Sequence, residues 1–216
     1  MLKRFIWLLP LALTALGLDV PSISDADFIK AAVDAHNGIR SNVTPTAANM
    51  KYMSWDSSLA KTAKAWSSFC KFQHNIYISS NRLIHPTFFP IGENLYAGGT
   101  FNMHQVVNLW ASEVNNYNNE NQTCKTGKVC GHYTQVIWSN SYKVGCAVSR
   151  CPGTYGYIVL CNYGPAGNYR GSKPYTIGLP CSECSDDICV NNLCTNQKRD
   201  RVVEDGMAEL IPSSIF

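Results

Sequence analysis

Lys143–Ser149 reads KVGCAVS and Tyr155–Tyr163 reads YGYIVLCNY, with CPGT in the short interval between them. Residues that favour strands dominate both runs. In the second, Tyr157, Val159, Cys161 and Tyr163 alternate with Ile158, Leu160 and Asn162, the period of a strand. Pro152 and Gly153 supply turn chemistry. The two runs therefore read as an antiparallel hairpin. Opposed residues in such a pair share a nearly constant index sum, here about 305–308. Cys146 and Cys161 sum to 307, which makes them candidates for a cross-strand disulfide.

Upstream of the hairpin the period becomes helical. DADFIKAAVDAHNGIR follows Ser24, which is placed to cap it, and Asp25 and Asp27 suit the positive start of a helix. Phe28, Ile29, Ala32, Val33 and His36 recur at helical spacing. After Asp56, SSLAKTAKAWSSFCKFQHN places Leu59, Ala63, Trp66, Cys70 and His74 on one face of a second helix. A third is expected over Met103–Asn118, with Val106, Trp110, Glu113, Val114 and Tyr117 on its apolar side. Asn75–Pro90 and Asn115–Gly127 read as loops, and IGENLYAGG ends in glycines. Helices come first and strands afterwards, which indicates an α+β fold rather than a wound βαβ sheet.

Composition bounds the rest. The 216 residues are 45% apolar and 15% charged, enough for one domain with a sizeable core and unlike a disordered chain. A net charge of +3 gives no electrostatic case for nucleic acid. Residues 1–17, MLKRFIWLLPLALTALG, read as a signal peptide: Lys3 and Arg4, the apolar run Phe5–Leu16, then small Ala15 and Gly17. The run is too short to span a bilayer comfortably. Removing it takes the 18 basic residues to 16 against 15 acidic ones, a net of about +1. The expected destination is the extracellular space. Residues 18–175 then form the main domain, 176–195 a cysteine-rich module, and 196–216 a flexible tail too charged to cross a membrane. Asn42-Val-Thr44 and Asn121-Gln-Thr123 are glycosylation sequons.

Ten cysteines in a secreted chain read as disulfides, although CSEC alone is also a zinc-type C-x-x-C. Six lie in the main domain. Cys124 and Cys130 are near enough to close a local loop, and the hairpin pair then leaves Cys70 for Cys151. The other four crowd into Pro180–Cys194, which has too few apolar residues for a core of its own.

Polar side chains on apolar faces carry the functional signal. Glu113 follows Trp110 on the third helix, and His74 continues the stripe of Trp66. Glu93 in GENLY and His132 in GHYTQVIW complete a group of two histidines and two glutamates. Such a set suits a divalent cation, acid–base chemistry or a structural hydrogen-bond network. His36, His85 and His104 receive no role. The sequence contains no G-x-S-x-G, H-E-x-x-H, Walker or G-x-G-x-x-G motif.

WDSSLAKTAKAWSSFCKFQHN, GENLYAGG, GHYTQVIW and VLCNYGPAGNY resemble the CAP superfamily: cysteine-rich secretory proteins, antigen 5 allergens and plant pathogenesis-related proteins. The similarity spans about Ala26–Tyr169. Within the superfamily, HNGIRSNVTPTAANMKYMSWD, WSNSYKVGCAV and NLCTNQKRDR resemble glioma pathogenesis-related proteins. The resemblance implies a three-layer α–β–α sandwich with a central cleft holding His74, Glu93, Glu113 and His132. It implies that His74 and His132 can hold zinc or another divalent ion. It agrees with Cys70–Cys151, Cys124–Cys130 and Cys146–Cys161, and implies Cys181–Cys189 and Cys184–Cys194 in the hinge. A secreted, non-enzymatic binding module for a protein, glycan, lipid or sterol ligand in reproduction or immunity is expected. A metal-dependent hydrolase and a purely structural extracellular module are the alternatives. No six-cysteine channel-regulatory domain follows Cys194, so channel blockade is not expected, nor is the membrane span of many glioma pathogenesis-related proteins.

Overall fold

A computed structural model describes residues 20–153 and 155–203. The signal-peptide segment and residues 204–216 of the tail lie outside the described residues. In chain order the elements are α1 (Ala26–Arg40), β1 (Ser54–Trp55), α2 (Ser57–Ser67), β2 (Gly92–Gly98), α3 (Met103–Ala111), a 3-10 turn (Ser112–Asn116), β3 (Tyr117–Asn118), β4 (Thr123–Cys124), α4 (Gly131–Val136), β5 (Lys143–Cys151), β6 (Gly156–Gly164), β7 (Ile188–Val190) and β8 (Leu193–Thr195).

The central sheet runs β1-β5-β6-β2. Strands β5 and β6 form the expected antiparallel hairpin, with Cys146 opposite Cys161 and Val144 opposite Tyr163. Alternation sends successive side chains to opposite faces. Ala147, Leu160 and Leu95 meet Ala63 and Trp66 of α2 on one face. Val144, Cys146, Val148, Val159, Cys161 and Tyr163 meet the larger core under α1, α3 and α4 on the other. Helix, sheet, helices: the α–β–α sandwich and the α+β class follow from this arrangement. Gly145 shows how tightly α2 lies on the sheet. A Cβ there would sit 2.2 Å from the Ala60 backbone nitrogen, so only glycine fits.

Local chemistry corrects several boundaries. Asp25, not Ser24, caps α1, accepting from the Phe28 N–H at 2.8 Å. Helix α2 stops at Ser67, and Cys70 takes a positive φ of 54°, so the helical stripe ends at Trp66 and His74 is not on it. Helix α3 ends at Ala111, leaving Glu113 in the 3-10 turn. GENLYAG, read without an element, is the edge strand β2. Its pairing with β6 outweighs the strand-weak glycines at both ends.

The hinge read as a separate module and the start of the tail read as flexible are both held to the main domain. The hinge strand β8 exchanges backbone bonds with the main domain: Cys194 N–H to Met50 O at 2.8 Å and Tyr52 N–H to Cys194 O at 3.0 Å. The tail was expected from 196. Its described part is instead pinned by Arg199, which pairs with Asp187 and Asp200, and by Val203, which bridges to Asp56. All ten cysteines pair: Cys70–Cys151, Cys124–Cys130, Cys146–Cys161, Cys181–Cys189 and Cys184–Cys194. The first spans 81 residues, a closure that stabilises by about 4–5 kcal/mol in the chain-entropy description.

Two buried groups on α1 organise the core. Arg40 is fully buried and, among the described residues, pairs with no carboxylate. Its five N–H donors go to carbonyls: Nε and Nη2 to Lys51 at 3.1 and 2.6 Å, Nη1 to Val136 and Trp138 at 2.9 and 2.8 Å, Nη2 to Ser139 at 3.3 Å. His36, also fully buried, donates from Nδ1 to Ala32 O at 2.7 Å and accepts at Nε2 from the Tyr163 hydroxyl at 2.9 Å. Asn94 donates to that hydroxyl at 3.1 Å, so the imidazole is the neutral tautomer. Burial pushes its pKa down to about 4 and that of Arg40 down to about 9.

Arg40→Met should cost about 3–5 kcal/mol, because the carbonyls it gathers lose their donors in the interior. Arg40→Lys should recover less than half of that, having three donors and no planar fork. Urea denaturation of both variants checks this. His36 binds its proton near pH 6.5 when unfolded and near 4 when folded. The unfolded chain therefore takes the proton first, and stability should fall by up to about 3 kcal/mol between those values. Denaturation midpoints across that range should lose this slope in His36→Gln.

Candidate functional site

The four singled-out residues form two histidine–carboxylate pairs. Glu93 projects from β2 toward α2, its side chain fully buried. Its Oε1 accepts from His74 Nδ1 at 2.8 Å and from the Asn75 N–H at 2.9 Å. Asn162, opposite it on β6, turns its amide nitrogen to Oε2 at 3.3 Å and accepts from the Ala63 N–H. His74 itself is 65% exposed. The buried member of the pair is thus the glutamate, whereas the helical stripe had suggested the histidine. The hydrogen bond to Glu93, more than the charge, raises the His74 pKa above its ordinary value.

The second pair is built at the start of α4. Glu113 Oε1 bonds His132 Nδ1 at 2.7 Å, while Oε2 accepts the N–H groups of His132 and Tyr133 at 2.9 and 3.2 Å. One carboxylate thus orients the ring and satisfies two free donors of the helix start. Trp110 stacks on the imidazole, centroids 6.3 Å apart and planes 7° apart. Its indole N–H is fixed on Leu95 O at 2.9 Å. Asn94 donates to His132 O at 3.1 Å.

Strand β2 ties the pairs together. Glu93 and Asn94 are consecutive and point to opposite faces, one toward His74 and the other toward His132. Gly92 beside them leaves room for Gln135 of α4; a Cβ would lie 2.2 Å from its Oε1. In both pairs Nδ1 is bound to a carboxylate. Among the described residues neither Nε2 has a hydrogen-bond partner, so each faces outward as a possible ligand atom. This is the carboxylate-oriented imidazole typical of metal-binding histidines. Among the described residues no three of the four bring ligand atoms within 4.8 Å; Cys181, Cys184 and Cys194 do, but their sulfurs are in disulfides.

Two of the three histidines given no role in the sequence, His36 and His85, are buried parts of the scaffold. His36 closes the relay through Tyr163 and Asn94 to His132. His85 Nδ1 accepts the Thr87 and Phe88 N–H groups at 3.1 and 3.0 Å, and Nε2 donates to Asp56 at 3.2 Å. Asp56 also caps α2. The position of His36 among Ala32 and Val33 was the available signal; nothing local marked His85. His104 is exposed.

This scaffold and site define a class. Residues 33–163 match the CAP family, the cysteine-rich secretory protein family, and the chain belongs to it. It is 48% identical to GLIPR1-like protein 1 of Bos taurus over 91% of this chain and 84% of that protein. It is 47% identical to glioma pathogenesis-related protein 1 of Mus musculus over 85% and 70%. The crystal structure of NaASP2 with Zn2+ superposes with a TM-score of 0.63 at 27% identity, covering 79% of this chain and 96% of that one.

Because Glu93 stabilises the protonated ring, His74 should titrate above 6.5 by NMR, and Glu93→Gln should bring it back down. An unchanged titration in that variant would separate the ring from the carboxylate.

Proposed function

We propose that this is a secreted CAP-domain binding protein, not an enzyme, whose His74 and His132 hold a divalent cation such as zinc. The observation that carries the reading is the matched pair of imidazoles, each fixed at Nδ1 by a buried or half-buried glutamate with Nε2 left outward. The Zn2+ of the NaASP2 structure supports the choice of metal. Two neutral imidazoles suit a borderline ion completed by water. Bound there, zinc supplies a positive centre for an extracellular protein, glycan, lipid or sterol ligand. Glu93 and Glu113 orient the rings by accepting hydrogen bonds from their Nδ1–H groups.

Hydrolysis is the weaker reading. Zinc hydrolases usually use three protein ligands, and both carboxylates here are committed to hydrogen bonds. Secretion is supported by five disulfides and by the absence, among the described residues, of a helix long and apolar enough to cross a membrane. Asn42 and Asn121 are exposed; Thr123 Oγ1 bonds Asn121 Oδ1 at 2.6 Å, which supports glycosylation at Asn121, whereas the Asn42 amide nitrogen donates to Gly38 O at 2.8 Å.

Calorimetry should find zinc binding that weakens on acidification as His74 protonates, and that disappears in His74→Ala/His132→Ala. Undiminished binding in the double variant would remove the site.

A further inference from the structure

We propose that the segment joining α2 to β2 docks the protein on anionic lipid surfaces. Between Ser57 and Gly92 the chain has no Asp or Glu. The first acid, Glu93, is buried beneath His74. The neighbouring stretch from Lys143 to Ser182 is also free of acids. Lys71, Arg82 and Arg150 are exposed on these segments. The mature chain is nearly neutral, so this is a local concentration of positive charge and not a global one.

Large apolar side chains stand exposed among these cations, where a connecting segment is normally polar. Leu83 is 91% exposed and Ile76 61%; Phe69, Phe72 and Tyr77 are about half exposed or more. The fold gathers the aromatic ones. Trp66 contacts both Phe69, at 5.5 Å between centroids, and Tyr77, at 6.2 Å. Phe72 meets Tyr155 at 5.9 Å. The Cys70–Cys151 disulfide fastens the segment beside Arg150. A turn in which Tyr77 O accepts the Ser80 and Asn81 N–H groups leads directly into Arg82 and Leu83, and the Arg82 guanidinium lies 4.9 Å over the Phe89 ring.

Apolar groups interleaved with cations, and no acid, suit the boundary between anionic headgroups and acyl chains. A free polyanion would use the cations and leave Leu83 and Ile76 idle. A protein pocket would call for buried anchors, not side chains projecting from a basic rim. This commits the partner that the proposed function leaves open, and it needs no metal.

The test is vesicle flotation of the full secreted chain in excess chelator, which keeps the outcome independent of the zinc site. Vesicles of phosphatidylcholine with about 30% phosphatidylserine should retain the protein, pure phosphatidylcholine should not, and salt should weaken retention. Ile76→Ser/Leu83→Ser and Lys71→Gln/Arg82→Gln should each weaken binding about tenfold. Leu109→Ser, on exposed α3, should leave it unchanged, and matching circular dichroism checks folding. Equal retention on both vesicle types, wild-type binding by both double variants, or capture by immobilised heparin without vesicle binding would overturn the proposal.

Discussion

The fold hangs on a buried cation that meets carbonyls and, among the described residues, no carboxylate. Arg40 ends α1 and turns all five of its donors on the carbonyls of Lys51, Val136, Trp138 and Ser139. These carbonyls belong to the chain entering β1 and to the chain leaving α4. Each would be an unsatisfied acceptor in the interior without a donor. The guanidinium thus joins the helical layer to both segments that lead into the sheet. It also fixes the end of α4, whose start carries His132. The geometry of the candidate site is therefore set partly by a charge at the far end of a short helix.

The site repeats one device twice. A glutamate accepts a hydrogen bond from the Nδ1–H of a histidine and, with its remaining capacity, from backbone N–H groups near that histidine. Backbone donors make each carboxylate a fixed acceptor, and the fixed acceptor makes the ring orientation definite. Placing the glutamates on a strand and a 3-10 turn, and the histidines on a loop and a helix start, ties four local conformations to the outward direction of two nitrogen atoms.

Much of this was legible in the sequence because it depended on local period. The hairpin, its register through Cys146 and Cys161, and the bodies of α1 and α2 follow from spacing alone. What failed was termination. Nothing in SSFCKFQHN announces that the helix stops at Ser67, because the stop is imposed by Cys70 reaching Cys151 on a strand distant in sequence. His74 was accordingly singled out for the wrong reason. Its stripe does not exist, yet a buried partner does. GENLYAG hid as a strand because its pairing with β6 supplies what its glycines lack. His85 was illegible altogether, since its partner Asp56 lies 29 residues upstream.

One consequence concerns chain length. Glu93 and Asn94 serve opposite faces of β2 only because a strand turns over at every residue. Inserting or deleting a single residue in β2 would exchange the two faces, part His74 from its carboxylate and break the Asn94 bond to the His132 carbonyl, whereas the loop before it can lengthen without touching the register. The site is therefore insensitive to length on one side of Gly92 and governed by odd-or-even parity on the other. Insertions and deletions among natural variants should accumulate in the loop and stop abruptly at that glycine.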